Sequence, residues 1–160
     1  MKNDSSPDYP ESDSKRDLRV VFASSRKLGV FADEIEAIAD WRTPTPLPYA
    51  PKAVLGVVCI HGRMLTVLDI AALLGEEVGV ARSSPSSIVA LCGDEQLALA
   101  VDRAAETFAV AADELQEMKD EERSVILGVV AHAGESITML NVRELFPAAI
   151  RGHERRRRRF

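Results

Sequence analysis

The sequence predicts a mainly β protein made of two copies of one short unit, packed as a pair of small curled sheets or barrels. The first observation behind this is a repeat. The stretch LGVVCIHGRMLTVLDIAALL, residues 55–74, returns as LGVVAHAGESITMLNVRELF, residues 127–146. Eight of the twenty positions are identical: the LGVV run, then Gly62/Gly134, Thr66/Thr138, Leu68/Leu140 and Leu73/Leu145. Composition alone would give about one identity in twenty. Leu65/Ile137, Asp69/Asn141 and Leu74/Phe146 keep their chemistry. The second observation is that short apolar, β-branched runs are separated by short polar turns throughout both halves. The third is physical: closing a small sheet removes its exposed edges, and packing two gives a core neither could build alone.

The elements follow in order. Residues 1–17 are polar and rich in Pro, Ser and Asp, and are expected to be disordered. LRVVFA (18–23) and LGVF (28–31) flank the polar SSRK as a hairpin, and SIVALC (87–92) and LALAV (97–101) flank GDEQ in the same way. At an offset of 69 residues, Val20 matches Val89, Leu28 matches Leu97 and Asp33 matches Asp102, so the repeat spans 18–74 and 88–146. TPTPLPYAP (43–51) carries four prolines, so it is expected as an extended surface connector. VLGVVCI and RMLTVLDI are two strands joined at His61-Gly62, where Gly supplies the positive φ of a tight turn; Ala133-Gly134 repeats it. Asp69 and Asn141 occupy N-cap positions before the short helices AALL and VREL, and Pro147 is expected to stop the second. AADELQEMKDEE (111–122) is the remaining helix candidate, with a second half too charged for burial.

The bulk properties exclude several classes. No apolar run approaches the ~18 residues that a membrane span needs, and the polar N-terminus has no apolar signal core. Cys59 and Cys92 match no disulfide framework and are expected as small buried hydrophobes in a reducing cytoplasm. The formal net charge is −5, and setting aside Arg155 to Arg159 leaves −10 on the rest. An acidic body argues against a nucleic-acid groove. The arginine run is expected as a solvated tail, residues 148–160.

No motif asks for catalysis. His61, His132 and His153 show no metal-binding spacing, and no GxSxG, P-loop or strand–GxGxxG–helix occurs. No catalytic residue, metal or cofactor is expected. SSPSS (83–87) is expected as the linker between the units.

The order hairpin, IEAI (35–38), LPYAPKAVLGVV (47–58), HG (61–62) and TVLDIAALLG (66–75) resembles the CheW family of chemotaxis coupling proteins. ALAVDRAAE (98–106) and LGVV…ITMLN (127–141) continue the pattern. The resemblance covers about residues 18–147. It implies two intertwined five-stranded, SH3-like barrels, the first at about 18–74 and the second at about 88–146. It also implies a cytoplasmic, non-catalytic scaffold with two partners: the cytoplasmic tip of a chemoreceptor and the regulatory domain of a CheA-type histidine kinase.

The departures bear on the site. The family's Arg-Gly turn is His61-Gly62 here, with Arg63 one place later, and the Glu of its V-x-E-I run is Ala37. Thr66 replaces the usual Pro, and Ala71 an Arg that often follows. In the family the turn Arg and the Glu lie on the receptor-facing side. The resemblance therefore implies a partner surface at Ile35, Ala37, His61, Gly62 and Arg63, with altered receptor contact. Two alternatives stay open: a kinase-binding module without a classical chemoreceptor, and a nucleic-acid binder using the arginine run.

Overall fold

The computed structural model describes residues 15–23, 25–75, 85–117 and 125–158, with side chains as far as Arg151. Among the described residues eleven strands run in chain order. The first half supplies β1 (Lys15–Ala23), β2 (Arg26–Phe31), β3 (Ile35–Asp40), β4 (Val54–Ile60) and β5 (Arg63–Asp69), then α1 (Ile70–Leu73). The second supplies β6 (Ser87–Leu91), β7 (Leu97–Val101), β8 (Arg103–Ala111), β9 (Leu115–Glu117), β10 (Ile126–His132) and β11 (Glu135–Leu140), then α2 (Leu145–Arg158). Residues 1–14 of the segment expected to be disordered lie outside the described residues, as do residues 76–84, which include the first two residues of the expected 83–87 linker, and residues 118–124; Ser87, at the end of that linker, already belongs to β6. Lys15 to Asp17, assigned from sequence to the 1–17 segment, already belong to β1.

The strands form two sheets, ordered β8-β1-β2-β11-β10-β9 and β3-β6-β7-β5-β4. Neither sheet coincides with one half of the sequence. The hairpin β1–β2 joins the sheet of the second half, and β6–β7 joins the sheet of the first. The joints are two parallel pairings at matching repeat positions. In one, Thr138 lies opposite Leu28 and Met139 opposite Gly29. In the other, Thr66 lies opposite Leu97 and Val67 opposite Ala98. All other strand pairings among the described residues are antiparallel.

Both sheets curl closed. After β3 the proline-rich connector turns back along β4, where Thr45 and Val57 exchange two backbone hydrogen bonds of 2.9 Å. Arg42 adds a 2.8 Å bond to the Cys59 carbonyl. In the larger sheet β9 does the same, setting Gln116 opposite Val129 on β10. Gly56 and Gly128 sit at bulges beside these closures. A Cβ on Gly56 would lie 2.3 Å from the Thr45 carbonyl oxygen, and one on Gly128 would lie 2.4 Å from that of Gln116. The repeated LGVV therefore keeps its glycine so that the closing strand can approach.

Side-chain alternation divides the apolar residues into three clusters. Leu65, Val67, Ile88 and Ala98 fill the smaller barrel. Leu18, Val20, Val130, Ile137 and Met139 fill the larger one. A third cluster takes Leu28, Leu68, Leu91, Leu99, Leu140 and Leu145 from both sheets and binds the barrels together. β7 is buried at all five positions: its leucines face the shared core and its alanines the barrel interior. Gly29 and Met139 in one joint correspond to Ala98 and Val67 in the other, so a large residue is matched by the loss of a methyl opposite.

Several expectations are corrected. Val20 faces the larger barrel interior while Val89 faces the shared core, so the two are not equivalent. The second hairpin loop is one residue shorter, and such a slip moves a side chain to the other face; Val20 corresponds to Ala90. No helix forms over 111–117: Ala112–Glu114 is a 3-10 turn leading into β9. The Glu114 carboxylate accepts the Ala111 N–H at 2.8 Å, and Leu115 pairs with Val130. Asp69 caps α1 as expected, accepting from Ala71 N at 3.1 Å, whereas Asn141 makes no side-chain cap bond. Pro147 does not stop α2, because it lies in the first turn, where backbone N–H groups have no intrahelical partner. The helix runs on to Arg158 across most of the expected tail, and Ala149 is buried in the shared core. Cys59 and Cys92 are exposed thiols, not core residues; Cys59 falls on the outward side of β4.

The two glycines give a stability test. Gly128→Ala should cost about 1–3 kcal/mol through overpacking against β9. Gly56→Ala should cost more, because its φ of +144° adds backbone strain to the clash. Denaturant midpoints measure both, and two variants within about 0.5 kcal/mol of wild type would contradict the close-approach explanation.

Candidate functional site

The turn between β4 and β5 places three of the expected residues together. His61 and Gly62 have φ of 50° and 78°, the two positive values of a type I′ turn, whose twist suits a two-residue hairpin. Ala133 and Gly134 repeat it at 52° and 79°. Histidine is among the non-glycine residues enriched in this left-handed region. Arg63 pairs across the ladder with Ile60, and its guanidinium forms an ion pair with the Glu36 carboxylate. That contact ties the start of β5 to β3 across the closure of the smaller barrel.

The structure does not bring Ile35 and Ala37 onto this surface. Both are half-buried: Ile35 packs against the shared core and Ala37 against the smaller barrel's core. β3 alternates, so Glu36, Ile38 and Asp40 face outward. Ile38 is 38% exposed and Met64, beside Arg63, is 56% exposed. Around the turn the exposed or part-exposed residues are thus His61, Gly62, Arg63 and Met64, with Glu36 brought in by its ion pair to Arg63, and Ile38 is exposed farther along β3. Sequence reasoning missed Glu36 because it followed residue type at a family position; the pleat of IEAI already puts Glu36 opposite Ala37 in facing.

A second feature lies on the larger barrel. A cavity of about 500 Å³ is floored by Phe31, Val110, Leu115, Leu127 and Val142 and rimmed by Arg16, Glu34, Glu117 and Arg143. Arg16 forks onto Asp33 at 2.6 and 3.1 Å and lies 3.6 Å above the Phe31 ring. The hydrogen bonds from Arg16 hold the Asp33 carboxyl below its ordinary range. Burial pushes the Glu34 carboxyl up, against the attraction of Arg16 and Arg143. Phe108 and His132 stack at 3.6 Å and join β8 to β10.

Among the described residues no three His, Cys, Asp or Glu side chains are grouped to hold a metal. None of the described helices is long and apolar enough to cross a membrane. Two fused barrels, with an ionic turn surface on one and an apolar cavity on the other, define a protein-interaction module of the paired SH3-like kind.

The comparisons with known proteins carry the identification further. Residues 18–149 match the family described as the CheW-like domain. The chemotaxis protein CheW of Rhizobium meliloti (strain 1021) is 31% identical over 118 residues, covering 71% of this chain and 76% of that protein. A probable chemotaxis protein CheW of Rhizobium etli is 27% identical over 116 residues, covering 70% and 75%. The crystal structure of the scaffolding protein TtCheW from Thermoanaerobacter tengcongensis superposes with a TM-score of 0.69 at 15% identity, covering 80% of this chain and 90% of that one. At that identity the structural likeness speaks for the fold. The chain belongs to the CheW-like family of chemotaxis coupling adaptors.

The Arg63–Glu36 pair is partly exposed, with side chains 33% and 37% accessible. Its contribution to folding should therefore be under about 1 kcal/mol in a double-mutant cycle of Arg63→Ala and Glu36→Ala. A coupling of 3 kcal/mol or more would make the pair a structural closure of the barrel and not a surface feature.

Proposed function

We propose that this protein is a non-catalytic scaffold that couples the cytoplasmic tip of a chemoreceptor to the regulatory domain of a CheA-type histidine kinase, working in the cytoplasm. The observation that carries the reading is the family match across residues 18–149, which takes in both barrels. Its output is a coupling free energy between receptor state and kinase activity. Two joined barrels suit that task, since they present two related faces held in fixed relation.

The receptor-facing surface in this proposal is the β4–β5 turn with its neighbours: His61, Gly62, Arg63, Glu36, Ile38 and Met64. Arg63 stands one position after the family's turn arginine, and Glu36 one position before the family's glutamate. Both departures move together, so a cation and a carboxylate still meet at the turn. Ile35 and Ala37 act from beneath, setting the strand that presents Glu36. An arginine fork can grip a carboxylate or carbonyl at any working pH.

Receptor-tip and kinase-domain affinities, measured separately at pH 6 and pH 8, test this. Arg63→Ala should weaken receptor binding about tenfold or more, the loss of one charge-assisted contact, and leave kinase binding unchanged. His61→Arg should tighten receptor binding, because an arginine presents a fork of donors where an imidazole ring presents one or two. If neither substitution alters receptor affinity at either pH, the turn is not the receptor site. Capture of the kinase domain with no binding to any receptor tip would instead favour a kinase-binding module outside the classical receptor partnership.

A further inference from the structure

We propose that Arg16 is a positioning residue for the receptor-facing turn: from the larger barrel it grips Asp33 in the crossover between the sheets, and so sets the aim of Glu36 and of its partner Arg63. The proposal rests on the reading of that turn as the receptor surface. β2 belongs to the larger sheet and β3 to the smaller one, and a 3-10 turn, Ala32–Glu34, carries the chain between them. β3 begins at Ile35, the residue after that turn, and Glu36 follows it. Whatever fixes the turn therefore fixes where β3 starts.

Arg16, on β1, fixes it from one side. Its Nη2 donates to one oxygen of the Asp33 carboxylate at 2.6 Å and its Nε to the other at 3.1 Å, while the guanidinium lies 3.6 Å above the Phe31 ring. Phe31 is buried and packs in the larger barrel's core. One planar group thus meets a carboxylate at its edge and an aromatic ring at its face; a lysine supplies neither the fork nor the flat surface. On the other side the Glu34 carbonyl accepts the Cys92 N–H at 2.8 Å, which fastens the far end of the turn to the smaller sheet just beyond β6.

The ladder does not aim Glu36 by itself. Ile35 lies opposite Leu91 and Ala37 opposite Ala90, so β3 takes two steps where β6 takes one, and the extra residue is Glu36. A bulge of this kind takes its residue out of register and re-aims the side chain. The aim of Glu36 then follows the turn that feeds the bulge. The second crossover is built differently. At Asp102, the repeat counterpart of Asp33, the chain passes from β7 to β8 in a single residue. Its backbone holds it there: the Asp102 N–H donates to the Phe22 carbonyl at 2.7 Å, and the Ser86 hydroxyl donates to the Asp102 carbonyl. The crossover that leads to the turn surface is the one secured by a side-chain clamp.

Nuclear magnetic resonance of the full chain without partners tests the proposal. The Arg63 Nε–H signal should shift in Arg16→Gln and in Asp33→Asn, and by less in Arg16→Lys, which keeps the charge without the fork. The amides of Ala133 and Gly134, in the matching turn of the larger barrel, should stay at their wild-type positions. Receptor-tip affinity supplies the second readout. Asp33→Asn should weaken binding about threefold or more, and this loss should disappear in an Arg63→Ala background, because residues that act through one another are not additive. Additive losses, or an Arg63 signal unmoved in all three variants, would overturn the proposal. If Arg63→Ala by itself leaves receptor affinity unchanged, the receptor reading of the turn fails, and the spectrum alone decides whether Arg16 aims Glu36.

Discussion

In this fold each half of the chain lends its first hairpin to the other half's sheet, and two parallel pairings, β2 with β11 and β5 with β7, hold those loans in place. The first is a joint of two residue pairs, the second of four. Because the joints seat β1–β2 and β6–β7 in the middle of foreign sheets, both hairpins are buried on two faces. One face fills a barrel and the other fills the shared core. Neither barrel has a complete wall without both halves, which is why the duplication is retained as one intertwined body and not as two beads.

Much of this was legible in the sequence because repetition is conspicuous and strand turns have local chemistry. The LGVV repeat, the His61-Gly62 and Ala133-Gly134 turns and the Asp69 cap all follow from residue type and short spacing. The resemblance implied intertwined barrels, but which hairpins are exchanged was not legible in the residues themselves, since a parallel joint between Leu28 and Thr138 leaves no local signal. Nor was the facing of Val20, which depends on a one-residue difference in loop length. The 111–117 stretch misled because Ala-Asp-Glu-Leu suits a helix, yet the register with β10 overrides that propensity. α2 misled in the opposite sense: Pro147 ends a helix only when it falls beyond the first turn.

The candidate site's geometry was half legible. His61, Gly62 and Arg63 are brought together by one turn, so their order in the chain was enough. Ile35 and Ala37 are placed by the pleat, and burial turns them inward while Glu36 comes out to meet Arg63. The cavity of the larger barrel had no sequence signature at all. It is assembled from β1, β2, β8, β9, β10 and the segment after β11, and its charged rim joins residues as distant as Arg16 and Arg143. The same closure of small sheets thus yields an ionic surface on one barrel and an apolar recess on the other.

The dependence of each barrel on the opposite half is open to one direct measurement. Residues 1–80 and 81–160, expressed as separate chains divided between α1 and β6, can be followed by circular dichroism during denaturant titration, alone and mixed. The hairpin exchange predicts that neither half alone unfolds cooperatively, and that equimolar mixing restores a single cooperative transition. A half that folds and unfolds cooperatively by itself would contradict it.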